Sequence, residues 1–514
     1  MASAKRTARL RQVVVISALC LAVYLFLWIP DDAREGSGLG YSRSAMWNTY
    51  PNGLPRTPPQ TPLTGPEGTG KQQQQQQQRE RAGEPEGKQL PEGLRDNRFL
   101  TEAQCRNTFP GLLKEVDDAV AKGPFTLERN PLDLGPLIAR IQDGKLYILS
   151  YARKSDLSRD MLQHRSATLH QLANALLTWP PSSPPPPDTV LAFNHHDDPL
   201  ASTFSYSRPA DPVLDTPSRH FFPIPHFAFY SWPLPFVGSL PRASAAIAAL
   251  EAFLPFGAKL PLAVWRGTTW YNNARAGRMR QNLVHAARGQ PWADVQALNW
   301  VASPPAASPP RPDRSRGSPS HNSPQTADNA IPIEDFCTYK YILHTEGITY
   351  SGRFPMHQLC RSVILTPPIS WLQHTTHLLR PLFSHALANV SRIPIPLPHG
   401  ETNPLLPYPA PWVQSAWPKE YGEDEANIVF VAPDWSDLAD TIAWLEARPD
   451  VAEGIATRQR DLFHGKGYLS PAAEMCYWRG LIRGWSEVVR YEGQGFDEMD
   501  GIPWEEFSLL EVHK

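Results

Sequence analysis

The chain has 514 residues, 55 prolines and a formal net charge of −2. That balance gives no footing for nucleic-acid binding, which depends on excess basic charge. Proline at about twice its usual share of roughly 5% marks low-complexity stretches, so the folded part is shorter than the chain, and about two to three domains suffice.

The N-terminus opens with Lys5, Arg6, Arg9 and Arg11 ahead of an apolar run from Val13 to Ile29, interrupted chiefly by Ser17 and followed by Pro30, Asp31 and Asp32. A membrane span usually needs roughly 17 to 25 apolar residues, and cations before the run with acids after it place the start of the chain in the cytosol. The expectation is a retained signal anchor over 13–29 behind a cytosolic tail over 1–12. The alternative is a cleaved signal peptide, but no small-x-small cleavage site follows Ile29. Residues 30–95, with Pro and Gly clusters and the Gln72–Gln78 tract, read as a disordered stem.

Folded structure is expected from about Phe99. A helix is predicted over Leu112–Ala121, a strand at "GKLYILSY", a helix at "LSRDMLQHRSATLHQLANALLTW" and a strand at "TVLAF" that runs into a polar loop, "NHHDDP". "PLAVWRG" is a further strand, and residues 302–331, rich in Pro, Ser and Arg, read as a surface insertion. "YKYILHTEG", "SVILTP" and "IVFVAP" have the short, apolar, β-rich character of buried strands. A helix capped by Ser436 and another capped by Asp450 follow. In the last helix Trp478, Leu481, Ile482 and Trp485 form a core-facing stripe. Alternating strands and helices predict an α/β fold.

Of five cysteines, Cys20 lies in the apolar run; Cys105, Cys337, Cys360 and Cys476 remain, an even number that suits two disulfides in an oxidising lumen. Asn389-Val390-Ser391 is an N-glycosylation sequon.

Three loops carry residues suited to chemistry. In "NHHDDP", Asp197 follows a strand and stands beside Asp198, so one carboxyl is expected to titrate high and could act as a general base. His195, His196, Asp197 and Asp198 could instead bind a metal, or form a solvated turn. In "VWRGTTW", Arg266, Gly267 and Thr268 combine a guanidinium, a close-approach backbone and a hydroxyl, a set able to hold phosphate; Arg275, Arg278 and Arg280 follow, and by residue type alone an exposed basic helix face is the favoured account. In "EGITYSGRFP", two glycines, Ser351 and Arg353 could cradle a diphosphate, although a salt-bridged structural arginine would read the same way. No Asp-x-Asp triplet occurs, which favours phosphate neutralisation by arginine and backbone amides over a divalent ion.

The series "NHHDDP", "PIPHFAFYSW", "WRGTT", "CTYKYILHTEGITYSGRFPMHQLCRSVIL" and "MCYWRGLIRGW", over about residues 190 to 490, resembles glycosyltransferase family 90, which includes fungal capsule xylosyltransferases and animal protein O-glucosyltransferases. The resemblance implies a GT-B-like fold, two Rossmann-like domains facing a cleft: an acceptor-side domain over 96–260, a donor domain over 261–470 and a C-terminal helix over 471–495 packing back on the first. It implies an inverting transfer of xylose or glucose from a UDP-sugar to a glycan or protein hydroxyl, with no cofactor or catalytic metal. The family's Asn-x-x-Asp-x-Pro pattern matches Asn194 to Pro199 and makes Asp197 the base. Arg266, Gly267 and Thr268, an arginine aligned near Arg275 whose part Arg278 or Arg280 could take, and the loop Ile348, Thr349, Tyr350, Ser351, Gly352 and Arg353 would bind the donor. Pro225, His226, Phe227, Phe229 and Tyr230 would lie near acceptor or sugar. The resemblance pairs Cys337 with Cys360 and Cys105 with Cys476. Departures are His195 and His196, more basic than their counterparts, and Gly352, where some relatives carry an aromatic residue. The chain ends "EVHK", without an ER-retrieval signal, so the expected setting is a single-pass type II protein of the Golgi, or of the ER, with its catalytic part in the lumen. The competing readings are a non-catalytic lumenal carbohydrate-binding or scaffold protein on the same fold, and a metallohydrolase built on His195, His196 and Asp198.

Overall fold

The computed structural model describes residues 91–129, 135–271, 277–301, 326–395 and 405–513. Among them no helix is long and apolar enough to cross a membrane. The expected anchor at 13–29, the stem up to residue 90, Arg275 and all of the insertion before residue 326 lie outside the described residues. The flanks of that insertion meet: Trp300–Val301 pairs antiparallel with Thr326–Ala327.

Helices α1 (Glu102–Thr108) and α2 (Lys114–Ala121) lead into strands β1 (Leu137–Gln142) and β2 (Lys145–Ser150), helix α3 (Arg159–Leu177), and strands β3 (Thr189–Phe193), β4 (Thr203–Ser205) and β5 (Phe221–Pro223). The strands run β2-β1-β3-β4-β5 across one sheet, antiparallel as far as β3 and parallel beyond it. Helix α3 starts where Ser158 accepts the Met161 amide through its hydroxyl, at 3.2 Å.

Helix α4 (Leu240–Glu251) precedes β6 (Leu260–Gly267), α5 (Met279–Ala287), β7 (Ala293–Ala297), β8 (Tyr339–Leu343), the short α6 (Phe354–His357), β9 (Val363–Thr366), β10 (Pro381–Phe383) and β11 (Ile428–Phe430). These strands make a second sheet, β10-β11-β9-β8-β6-β7, in which every pair is parallel. Strands β9 and β11 are buried at every residue, as the central strands of a sheet covered on both faces should be. The α/β expectation holds: two sheets of this kind are consistent with Rossmann-like folds.

Helices α7 (Leu438–Glu446) and α8 (Pro449–Arg460) differ from expectation at their starts. Asp437, not Ser436, stands at the cap of α7, and its carboxylate turns outward to accept the Ala432 amide and the Ser384 hydroxyl. Arg448 caps α8, because Pro449 with its preset φ takes the first helical position and leaves Asp450 inside the first turn.

The last long helix, α9 (Pro471–Val488), carries the predicted stripe, with Trp478, Leu481, Ile482 and Trp485 at most 1% exposed. Each such side chain contributes roughly 1.5–3 kcal/mol by burial. Its polar atoms fix the first sheet: Trp485 Nε1 donates to Val190 O at 2.9 Å, Trp478 Nε1 to Gln171 Oε1 at 3.2 Å and the Tyr477 hydroxyl to Pro223 O at 2.6 Å. Cys476 is joined to Cys105, and Cys337 to Cys360. The first bridge spans 371 residues of sequence and, on chain-entropy grounds, removes about 6 kcal/mol of freedom from the unfolded state. Beyond α9, in a region with no sequence-based assignment, strand β12 (Ile502–Pro503) pairs antiparallel with β2, and helix α10 (Trp504–His513) continues from it.

Helix α9 approaches α2 closely because it lacks two side chains there. A Cβ at Gly480 would stand 2.6 Å from Leu113, and one at Gly484 would stand 2.6 Å from Val116. Gly484→Val is therefore expected to destabilise the protein by about 1–3 kcal/mol through overpacking, read as a lower urea midpoint with unchanged slope.

Candidate active site

The loops after β3, β6 and β8 leave the carboxyl ends of their strands and come together, the place where open α/β sheets put ligands. Asn194 braces the first of these loops. Its amide donates to Phe204 O at 2.9 Å, its Nδ2 donates to Asp198 O at 2.7 Å, and its Oδ1 accepts the His196 amide at 3.2 Å. The turn so held carries Asp197 to the 348–353 loop of the second sheet. There Thr349 Oγ1 donates to Asp197 O at 2.8 Å and the Tyr350 hydroxyl to Asp197 Oδ1 at 3.4 Å.

Asp197 is exposed to solvent along part of its side chain, while its carboxyl lies close enough to surrounding protein to lose part of its hydration. Burial is the largest influence on its carboxyl and raises the pKa above the ordinary 3.8; the charge of Asp198 adds to this, while Tyr350, His196 and Arg280 pull the other way. His195 is buried, and burial lowers its pKa to about 3. It is therefore a neutral ring, and among the described residues no cluster of three or more acidic, His or Cys side chains could hold a metal.

The arginines separate by their partners. Arg353 Nη1 donates to Arg266 O at 2.7 Å, and Arg280 donates to Glu346 O and Thr268 O, each at 3.0 Å. Neither forms an ion pair with a described carboxylate. Burial lowers the pKa of Arg353 to about 9, with the charge of Arg280 second, and burial lowers that of Arg280 to about 10. The hydrogen bonds of these two guanidiniums go to main-chain carbonyls, and the rings of Tyr271 and Phe336 lie 5.7 and 5.8 Å from Arg280 and Arg353, so positive charge is left for an anion to satisfy. Burial also lowers the pKa of the adjacent His344 to about 3, so the cationic charge here belongs to the guanidiniums.

Arg266 is turned elsewhere. Its Nη2 reaches both oxygens of Asp294, at 2.8 and 3.0 Å, and its other donors end on main-chain carbonyls. The structure thus does not bring this guanidinium to the Arg280–Arg353 pair; the Arg266 main chain alone takes part, by accepting from Arg353. Gly267 lies under the Trp265 ring, and Thr268 Oγ1 accepts from Trp300 Nε1 at 3.2 Å. Of the alternatives to Arg275, Arg278 is exposed and Arg280 is in the site. Ile348 is exposed, and the half-buried Ser351 has no side-chain hydrogen bond to a described residue.

The 225–230 segment is packed rather than open. Pro225, His226, Phe227 and Phe229 are buried, and Tyr230 alone is well exposed, at 43%, stacked on His170 at 4.5 Å. Phe227 stacks on His164 at 3.6 Å. His226 lies against the second sheet's loop: a Cβ on Gly352 would stand 2.3 Å from its ring. Glu346, absent from the sequence-based set, holds the site together, since its carboxylate accepts Ser370 N, Ser370 Oγ and Trp371 N while its carbonyl accepts Arg280. A cavity of about 360 Å³, lined in part by Ile138, Ala192, Leu200, Thr203, Phe496 and Met499, includes neither Asp197 nor the 348–353 loop; the polar groups converge away from it. Asn389 is exposed and in the left-handed region, at φ 65°.

Residues 136–387, from the start of β1 to just past β10, match the family described as "Glycosyl transferase family 90". The chain carries a family 90 glycosyltransferase domain. Asp197, Arg280, Arg353 and the loop between β8 and α6 all fall within it. The domain is similar to an O-glucosyltransferase rumi homolog of Aedes aegypti, 25% identical over 175 residues, 33% of each chain. It is also similar to Protein O-glucosyltransferase 1 of Homo sapiens, 22% identical over 172 residues, 33% of this chain and 32% of the relative. The matched part therefore spans about a third of the length of these relatives.

The contact between the family 90 loop and His226 has a direct check. Gly352→Ala is expected to lower the melting temperature by several degrees through the clash with the ring. Adding His226→Ala should recover part of that loss, so the double variant melts above the sum of the single effects.

Proposed function

We propose that this chain is an inverting, metal-independent glycosyltransferase that moves a sugar from a UDP-sugar to a hydroxyl of a glycan or protein. The observation that carries the reading is the placement of Asp197 beside a loop whose arginine, Arg353, lies with Arg280 free of any described carboxylate. Asp197 takes the proton of the acceptor hydroxyl as that oxygen attacks the anomeric carbon. The bond from that carbon to the diphosphate oxygen breaks on the opposite face, and the two guanidiniums offset the charge that develops on the leaving UDP. A carboxyl with a raised pKa is the stronger base once ionised, which suits this role.

Three further features support the reading. The loops at the carboxyl ends of both sheets meet at the site, as a GT-B-like arrangement requires. No Asp-x-Asp triplet is present to hold the diphosphate through an ion. The two disulfides suit an oxidising lumen, in keeping with a type II protein of the Golgi or ER anchored by residues 13–29. The O-glucosyltransferases among the relatives favour glucose as the sugar, and the family resemblance of the sequence keeps xylose beside it.

UDP release by the lumenal part across a panel of UDP-sugars tests the donor class, and turnover should persist in excess EDTA. No release with any UDP-sugar, or a strict need for a divalent ion, would overturn the reading. Asp197→Asn is expected to lower kcat by about 10²–10⁴-fold while calorimetry shows UDP still bound. Arg353→Met should do the reverse, weakening UDP binding by roughly 10–100-fold through the lost charge-assisted hydrogen bonds. The base must be ionised to work, so kcat/KM should rise with pH through an acid limb placed above the ordinary aspartate range.

A further inference from the structure

The loop between β8 and α6 contains two hydroxyls that touch the base rather than the empty side of the site. Thr349 Oγ1 holds the main-chain carbonyl of Asp197, at 2.8 Å, and the Tyr350 hydroxyl holds Oδ1, at 3.4 Å. Tyr350 is 7% exposed, and its ring is wedged between groups of the first half, 5.9 Å from Tyr206 and 5.6 Å from His226. The Tyr350 hydroxyl therefore has little freedom to turn towards a ligand. Among the described residues Asp197 Oδ2 has no hydrogen-bond partner.

We propose that Thr349 and Tyr350 are positioning residues for the general base, so that the loop that receives the diphosphate also aims the carboxylate and presents Oδ2 to the acceptor hydroxyl. The inference rests on the assignment of Asp197 as base. A carboxylate that accepts a hydrogen bond on one oxygen, here a long one at 3.4 Å, favours the torsions that keep that contact, and its other oxygen is biased towards one direction. A second grip on the backbone carbonyl fixes the loop beneath it. Both grips come from the second sheet's loop and both targets from the first sheet's loop, so the base is aimed only when the two are docked.

Tyr350 stays a donor throughout. Burial first, then the charge of Asp197, raises the pKa of its hydroxyl well above the ordinary 10. The groups that face Asp197 are Asp198 and His196 on its own loop, Tyr350 on the opposing loop, Arg280 on α5 and the neutral hydroxyl of Tyr206 after β4. Tyr350, His196 and Arg280 lower its pKa, whereas Asp198 raises it along with burial. Removing the Tyr350 hydroxyl deletes one lowering influence, so the carboxyl should titrate higher and the acid limb of the rate profile should move to higher pH.

The test compares Tyr350→Phe and Thr349→Val with the wild-type enzyme, using the UDP-sugar identified by the release panel and calorimetry with UDP. Tyr350→Phe is expected to lower kcat roughly tenfold and to move the acid limb up by on the order of half a pH unit, with UDP affinity within about twofold of wild type. Thr349→Val should lower kcat without moving the limb, because it touches the carbonyl and not the carboxylate. An unchanged limb and kcat in Tyr350→Phe, or a loss of UDP affinity in its place, would overturn the proposal. If that variant does not fold, Thr349→Val decides alone: lower kcat with intact UDP binding supports the positioning role, and weaker UDP binding with unchanged kcat refutes it. A fully active Asp197→Asn enzyme is a separate failure, since it removes the base itself.

Discussion

Two desolvated guanidiniums without a described ion-pair partner, those of the buried Arg280 and the half-buried Arg353, set the terms for the rest of the molecule. Burying a charge is costly unless something nearby compensates it. Here main-chain carbonyls of Arg266, Thr268 and Glu346 accept hydrogen bonds from the pair, which orients the guanidiniums without neutralising them. Arg266 shows the other outcome. It sits one strand from the same place, forks onto Asp294 and is thereby made structural. The difference between Arg266 and the other two lies in whether a carboxylate comes within ion-pair distance.

Holding such a pair requires a stiff surrounding, and the fold supplies it from both halves. Glu346 holds Arg280 through its carbonyl, while its carboxylate holds the Ser370–Trp371 backbone. Trp371–Leu372 in turn pairs antiparallel with Arg208–Pro209. Arg208 is anchored by the buried carboxylate of Glu115 on α2, and α2 lies against α9 through Gly480 and Gly484. Helix α9 then fixes β3 by the bond from Trp485 to Val190, and β3 leads into the Asp197 loop. A chain of hydrogen bonds, strand pairing and packed helix faces thus runs from the two guanidiniums back to the loop that carries Asp197.

Much of the framework was readable from the chain. The apolar runs that became β3, β6, β8, β9 and β11, and the stripe of Trp478, Leu481, Ile482 and Trp485, express patterns only a few residues long. Helix starts were less readable, because a cap depends on where neighbouring backbone lies: the Asp437 carboxylate accepts from Ala432 and Ser384 and makes no cap bond to its own helix. Strand β12 and helix α10 passed unread, since a two-residue edge strand leaves no period to detect and is defined by its partner β2.

By itself the sequence determined the α/β class, the runs that form β2, β3, β6, β8, β9 and β11, and the three loops in which charge, hydroxyls and glycine gather, because each depends on residues close together in the chain. Tertiary structure decided which of those side chains meet. It put Arg280 in the site and left Arg278 exposed, turned Arg266 to Asp294, and packed His226 where a side chain on Gly352 would be. It also brought Tyr350 to Asp197 across 153 positions. Spacing along a chain carries no information about such pairs; they are settled by how two sheets and one long helix fill the space between them.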